Sequence, residues 1–169
     1  LVFDLEELPI KGEIRGEYWS GDYWRMNWGL TSYRYSTGTE YKLYKKAIES
    51  YSQPEEWLQL IESLSYRNLA KEIRTWSPSE KYDLQVGDGQ FGLTQEQKSE
   101  GGAVVNSEGV VEDWFRICDG WAPASVFVST PRAAVKTKGL GNVDVIWFPD
   151  DIRAMASLSW TNGNYESNF

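Results

Sequence analysis

Cys118 is the chain's single cysteine, and it stands in the run Ile117-Cys-Asp-Gly-Trp-Ala-Pro-Ala124. A thiolate nucleophile needs a lowered thiol pKa. The field at a helix N-terminus supplies part of that, and a neighbouring base with its orienting acid supplies the rest. The small residues Gly120, Ala122 and Ala124 would let such a helix lie close beneath a cleft. Trp114 and Trp121, with Asp119, would wall it. The competing reading is that a lone cysteine commonly serves as a small buried hydrophobe. Histidine, the usual general base, is absent from all 169 residues, so spacing leaves both readings open.

Other candidate chemistry has ordinary explanations. Gly87-Asp-Gly-Gln-Phe-Gly92 satisfies G-x-G-x-x-G, but it follows a capped, charged helix where a dinucleotide site needs a buried strand, so it reads as a loop. Asp150 and Asp151 suit a helix start, where the dipole favours acids. Trp19, Trp24 and Trp28 suit aromatic packing of a loop-rich segment better than a sugar or peptide platform. Without histidine, and with one cysteine, neither a zinc site nor an internal disulfide can be assembled from this chain. No D-x-D-x-D-G calcium loop is present.

The elements that must position Cys118 follow from local signals. Residues 40–50 read as a helix, and Pro54 opens a second through Leu58, Ile61 and Leu64. Ser77-Pro-Ser-Glu80 is a capping box that predicts a short helix ended by Gly87, and Thr94-Gln-Glu-Gln97 repeats the pattern. Val104-Val105 and Val110-Val111 flank Asn-Ser-Glu-Gly as a strand pair or a strand entering a helix. Trp114 to Phe127 reads as a largely buried helix around Cys118, with Cys118 itself at or near a helix start. Residues 133–148 are β-like, with a turn at Gly139-Leu-Gly-Asn142. Phe148-Pro-Asp-Asp-Ile152 starts a last helix whose Ile152, Met155 and Leu158 share a face. Helices precede strands without a repeat, so the class is α+β, in one domain over residues 1–169 with a loop-rich aromatic segment over 1–39.

A net charge of −8, from 17 basic and 25 acidic residues, would repel a phosphate backbone and argues against nucleic acid as a partner. No run approaches the roughly 20 apolar residues of a membrane helix. The chain begins without Met, which suits removal of a leader or of a longer upstream region.

Trp114-Phe-Arg-Ile-Cys-Asp-Gly-Trp-Ala-Pro-Ala124 resembles the cysteine motif of the transglutaminase elicitor family, best known from oomycetes and present in bacteria. Ser77-Pro-Ser-Glu-Lys-Tyr-Asp83 and Phe148-Pro-Asp-Asp-Ile-Arg-Ala-Met-Ala-Ser-Leu-Ser-Trp160 fit the same family. The resemblance implies a papain-like domain, a secreted protein, and acyl transfer without a cofactor from a protein glutamine to a lysine amine. Cys118 matches the nucleophile position. Arg116 stands where the family pattern has Gly, and Asp119 where oomycete members carry His. The family's catalytic histidine lies downstream of the cysteine, and nothing downstream of Cys118 fills that role. The expectation is therefore an incomplete domain whose His and Asp come from a continuation or a partner chain, and whose exposed aromatics border Cys118. The alternatives are a non-catalytic aromatic-rich binding domain, or a glutamine deamidase or cysteine protease using the same nucleophile.

Overall fold

The computed structural model describes residues 16–21, 24–34, 66–100, 104–112 and 116–161. Two 3₁₀ turns, Met26–Trp28 and Leu30–Ser32, lead the described elements. They are followed by α1 (Tyr66–Ile73), α2 (Pro78–Val86), α3 (Gly92–Ser99), α4 (Cys118–Phe127), β1 (Val135–Lys138), β2 (Asp144–Trp147) and α5 (Pro149–Thr161). The class is α+β. The helices expected over 40–50 and from Pro54 to Leu64 lie outside the described residues, as does Trp114.

α2 begins as its sequence dictates. Ser77 accepts the Glu80 backbone N–H, the Glu80 carboxylate accepts the Ser77 N–H, and Pro78 fills the first turn. Gly87 ends the helix at φ +80°, a left-handed conformation that costs glycine little. β1 and β2 pair antiparallel with Val135 opposite Trp147 and Lys138 opposite Asp144. Gly141, at φ +66°, turns the chain between them.

Three expectations are corrected. Thr94 does not cap a helix, because it lies inside α3; Asp88 accepts the Gly92 N–H at 2.8 Å, and Asp83, eleven residues before Thr94, accepts Leu93 N–H at 3.1 Å, Thr94 N–H at 2.8 Å and the Thr94 hydroxyl at 2.6 Å. The carboxylates facing those N–H groups let the helix start two residues before Thr94, whose hydroxyl donates to Asp83. Burial raises the Asp83 pKa above its ordinary value, against the lowering effect of the bonds from Thr94 and Leu93. The valines at 104–111 form no strand. There Asn106 folds its side chain back to accept the Glu108 and Val110 N–H groups, and Gly109 takes φ +77°. The helix around Cys118 starts at Cys118 itself, and only Gly120, Ala124 and Ser125 of it are buried.

Two apolar clusters form the core. The first joins Ile73, Trp76, Leu84, Phe91, Val143, Val145 and Trp147; the second joins Trp19, Trp24, Leu30, Ile117, Ala124 and Ala154. α5 serves both, packing Ile152 and Met155 on the first and Ala154 and Trp160 on the second. Trp19 and Trp24 are core residues, which agrees with the packing reading and removes them as a platform.

The segment from Ser77 to Asp83 is polar and, apart from Tyr82, nevertheless buried, so its side chains need partners. Ser79 donates to the Thr31 carbonyl, and the Glu80 carboxylate accepts from both Nε and Nη2 of the Arg34 guanidinium. Lys81 and Asp151, each 1% exposed, meet at 2.6 Å. The same Asp151 oxygen accepts the Phe148 N–H at 2.7 Å, capping α5, while the Lys81 ammonium lies 4.9 Å from the Phe148 ring centroid. Two of the three family-like stretches are thus joined by one buried ion pair. Burial dominates both partners and favours their neutral forms, lowering Lys81 and raising Asp151 from their ordinary values, while mutual attraction opposes each shift.

Lys81→Met should cost about 3–5 kcal/mol at neutral pH, because it strands a buried carboxylate. The double variant Lys81→Met/Asp151→Asn, which keeps an oxygen for the Phe148 N–H, should regain most of that loss. Without Lys81 the Asp151 pKa climbs further, so between 3.8 and its folded value the folded chain holds a proton that the unfolded chain lacks. The single variant should therefore gain stability relative to the double variant as pH falls through that window, Asp83 being common to both. Urea unfolding of both variants across a pH series measures this; equal losses and parallel pH profiles would sink the assignment.

Candidate active site

α4 is an unfavourable helix by composition. Ten residues include Gly120 and Pro123, which cost about 1 and 3 kcal/mol against alanine in a helix interior, and Pro123 also withholds the N–H that would reach the Asp119 carbonyl. Packing on α5 overrides those preferences. A Cβ at Gly120 would collide with the Thr161 hydroxyl and the Ser157 carbonyl oxygen, and would stand 2.8 Å from the Thr161 nitrogen. Glycine is therefore required by close helix contact. Ala124 on α4 and Ala154 and Ser157 on α5, all buried, continue the small-residue face.

The N-terminal segment holds α4 at both ends. Arg25 bridges Arg116 just before the helix, and the Trp19 indole N–H donates to the Val128 carbonyl just after it, at 3.0 Å. Ile117, at the N-cap, is buried in the second cluster and offers no side-chain cap. The helix thus opens on Cys118 with no cap from the side chain of its N-cap residue, and a helix N-terminus stabilises negative charge.

Cys118 is exposed, as is Asp119 beside it. Trp121, one turn on, is partly buried against the second cluster; a Cβ at Gly21 would stand 3.1 Å from its Cδ1 and 2.6 Å from Cη2 of Trp24. The Trp121 indole N–H is buried without an acceptor among the described residues, a polar cost carried one helical turn from the sulfur. The structure thus brings Cys118, Asp119 and Trp121 onto one helix start. Two hollows have linings of described residues, one of about 470 Å³ between α2, the sheet and α5, and one of about 310 Å³ beside Arg132; Cys118 lines neither.

Sequence reasoning missed Lys81, Asp151 and Gly120 as the residues that set α4 in place. Asp151 was legible only as a helix-start acid. The available signal was that Lys81 lies within a capped helix carrying Leu84 to the core, so its side chain had to find a partner across the fold. Among the described residues no group of side chains could hold a metal ion, and no helix is long and apolar enough to cross a membrane.

The site and fold together define an α+β protein whose only thiol is exposed at the head of a helix pressed onto its neighbour through a glycine. The family model for the transglutaminase elicitor matches residues 1–167, and the chain belongs to that family. Neither the curated proteins nor the solved structures give a significant match to it.

Gly120→Ala should destabilise the protein by about 3 kcal/mol or more, since the added methyl meets backbone that cannot turn aside. Ala122→Gly, at an exposed position on the same helix, should cost only about 1 kcal/mol. Denaturant midpoints of the two variants supply the check; equal losses would show that helix propensity, and not the α4–α5 contact, governs position 120.

Proposed function

We propose that this protein is a cysteine acyltransferase of the transglutaminase type, with a papain-like arrangement in which Cys118 is the nucleophile. The observation that supports this most directly is the position of the chain's only cysteine, exposed as the first residue of a helix whose N-cap side chain gives no cap. The Cys118 thiolate attacks the γ-carboxamide carbon of a protein glutamine, and collapse of the tetrahedral intermediate expels ammonia and leaves a thioester. A lysine amine then attacks the thioester, forming an isopeptide bond and returning the thiol; water in its place gives glutamate. Backbone N–H groups of the first helical turn are the natural donors to the oxyanion.

General-base activation needs a group that titrates near the working pH, and this chain has no histidine. In this proposal a continuation of the polypeptide or a partner chain brings the histidine and its orienting aspartate, and the protein acts outside the cell. The missing histidine equally favours a second reading, a binding domain that keeps the scaffold without the chemistry.

The two readings separate in an assay of ammonia release and of amine-probe incorporation into a glutamine peptide. The 169-residue chain alone should be inactive, and the complete natural polypeptide or complex active. Cys118→Ala in the active form should abolish both signals while shifting stability by no more than about 0.5 kcal/mol, as suits an exposed position. Activity surviving that substitution would refute the nucleophile. Inactivity of the complete form would favour the binding domain, and turnover by the isolated chain would remove the need for an external histidine.

A further inference from the structure

At the end of α4 away from Cys118 the helix closes on Phe127, which is 73% exposed. One face of its ring is stacked on Trp160, with centroids 5.4 Å apart and planes at 18°. With that much exposure the opposite face is open to solvent. Two residues further on begins the hollow of about 310 Å³ lined by Glu17, Ser129, Thr130 and Arg132. Backbone geometry places the Ser129 Cα within about 7 Å of that of Phe127. The bond from Trp19 to the Val128 carbonyl lays the N-terminal segment alongside, where Glu17 pairs with Arg132. Tyr18, next to Glu17, is 69% exposed.

A single exposed aromatic needs no explanation, but a stacked pair beside a hollow lined only by hydrogen-bonding side chains has the character of a ligand site. The Glu17–Arg132 pair is too solvated to be structural, since exposed ion pairs contribute about 0–1 kcal/mol. Its two charges cancel, so the hollow selects neither an anion nor a cation. The lining presents apolar as well as polar atoms, so a wholly apolar peptide side chain would leave the polar ones without partners. The ligand chemistry that matches is a neutral ring with one apolar face and adjacent hydroxyls, which lays C–H groups on the aromatic face, donates to a carboxylate and accepts from a guanidinium. A volume near 300 Å³ is at the small end of ligand sites and suits one or two such rings.

We propose that Phe127 and the hollow formed by Glu17, Ser129, Thr130 and Arg132 are a binding subsite for a neutral oligosaccharide. The subsite stands independently of acyl transfer at Cys118. The test is a titration of the ¹⁵N-labelled protein with cello-, chito- and β-1,3-gluco-oligosaccharides, together with a heparin fragment and an uncharged apolar peptide as competing classes. At least one neutral sugar should shift the amide signals of Tyr18, Phe127, Ser129 and Thr130. Phe127→Ala and Arg132→Ala should each weaken that binding about tenfold or more. Both side chains are exposed, so the unfolding midpoints should hold, and Arg132→Ala reports even if the stacked pair proves structural. Absence of shifts with every neutral sugar, shifts elsewhere on the surface, unchanged affinity in both variants, or preference for heparin or the peptide would each overturn the proposal.

Discussion

The buried contact between Lys81 and Asp151 is the constraint on which the remaining geometry depends. Two charges removed from water regain their desolvation cost only when geometry is close and the remaining valences are filled. Here the distance is 2.6 Å, the Phe148 N–H shares the carboxylate oxygen, and the Phe148 ring lies beside the ammonium. That requirement fixes the start of α5 against α2. Because α5 packs on both apolar clusters, a shift at its N-terminus would disturb the sheet side and the α4 side together.

α4 draws its position from that arrangement. Gly120 and Pro123 would weaken an isolated helix of ten residues below any useful population, since short helices are marginal in water even with good formers. The glycine that weakens it locally is what allows the close approach to Ser157 and Thr161. Local preference and tertiary demand conflict here, as they often do at functional sites. The outcome is a cysteine at a helix start whose N-cap side chain gives no cap, held from behind by α5 and at both ends by the N-terminal aromatic segment.

What could be read in advance divides by range. The Ser77 capping box, the Gly87 stop, the turn at residues 139–142 and the start of α5 were all legible, because each is decided by contacts within about four residues. Thr94-Gln-Glu-Gln97 carries the same local signature as Ser77-Pro-Ser-Glu80, yet Asp83 accepts the Leu93 and Thr94 N–H groups from across a turn, so the helix starts before Thr94. The valines flanking Asn106 carried strand propensity, but the Asn106 side chain met the backbone donors that a ladder would have used. The expected burial around Cys118 failed for a related reason. An apolar composition says that a helix has something to hide, but which residues face the neighbour depends on where the helix starts and on the one position able to touch it.

The sequence by itself determined the α+β class, several ends of the described elements and the single candidate nucleophile, since these rest on local backbone chemistry and on residue counts. Its three family-like stretches also pointed to the family before any fold was in view. Only the tertiary structure decided that Lys81 pairs with Asp151 across 70 residues, that Gly120 is a contact point, and that Cys118 is exposed while Trp19 and Trp24 are core. Burial, and with it the strength of every charge interaction, belongs to the packed chain as a whole. A lysine and an aspartate that look like ordinary solvated charges in the sequence become a constraint only when the fold removes water from both.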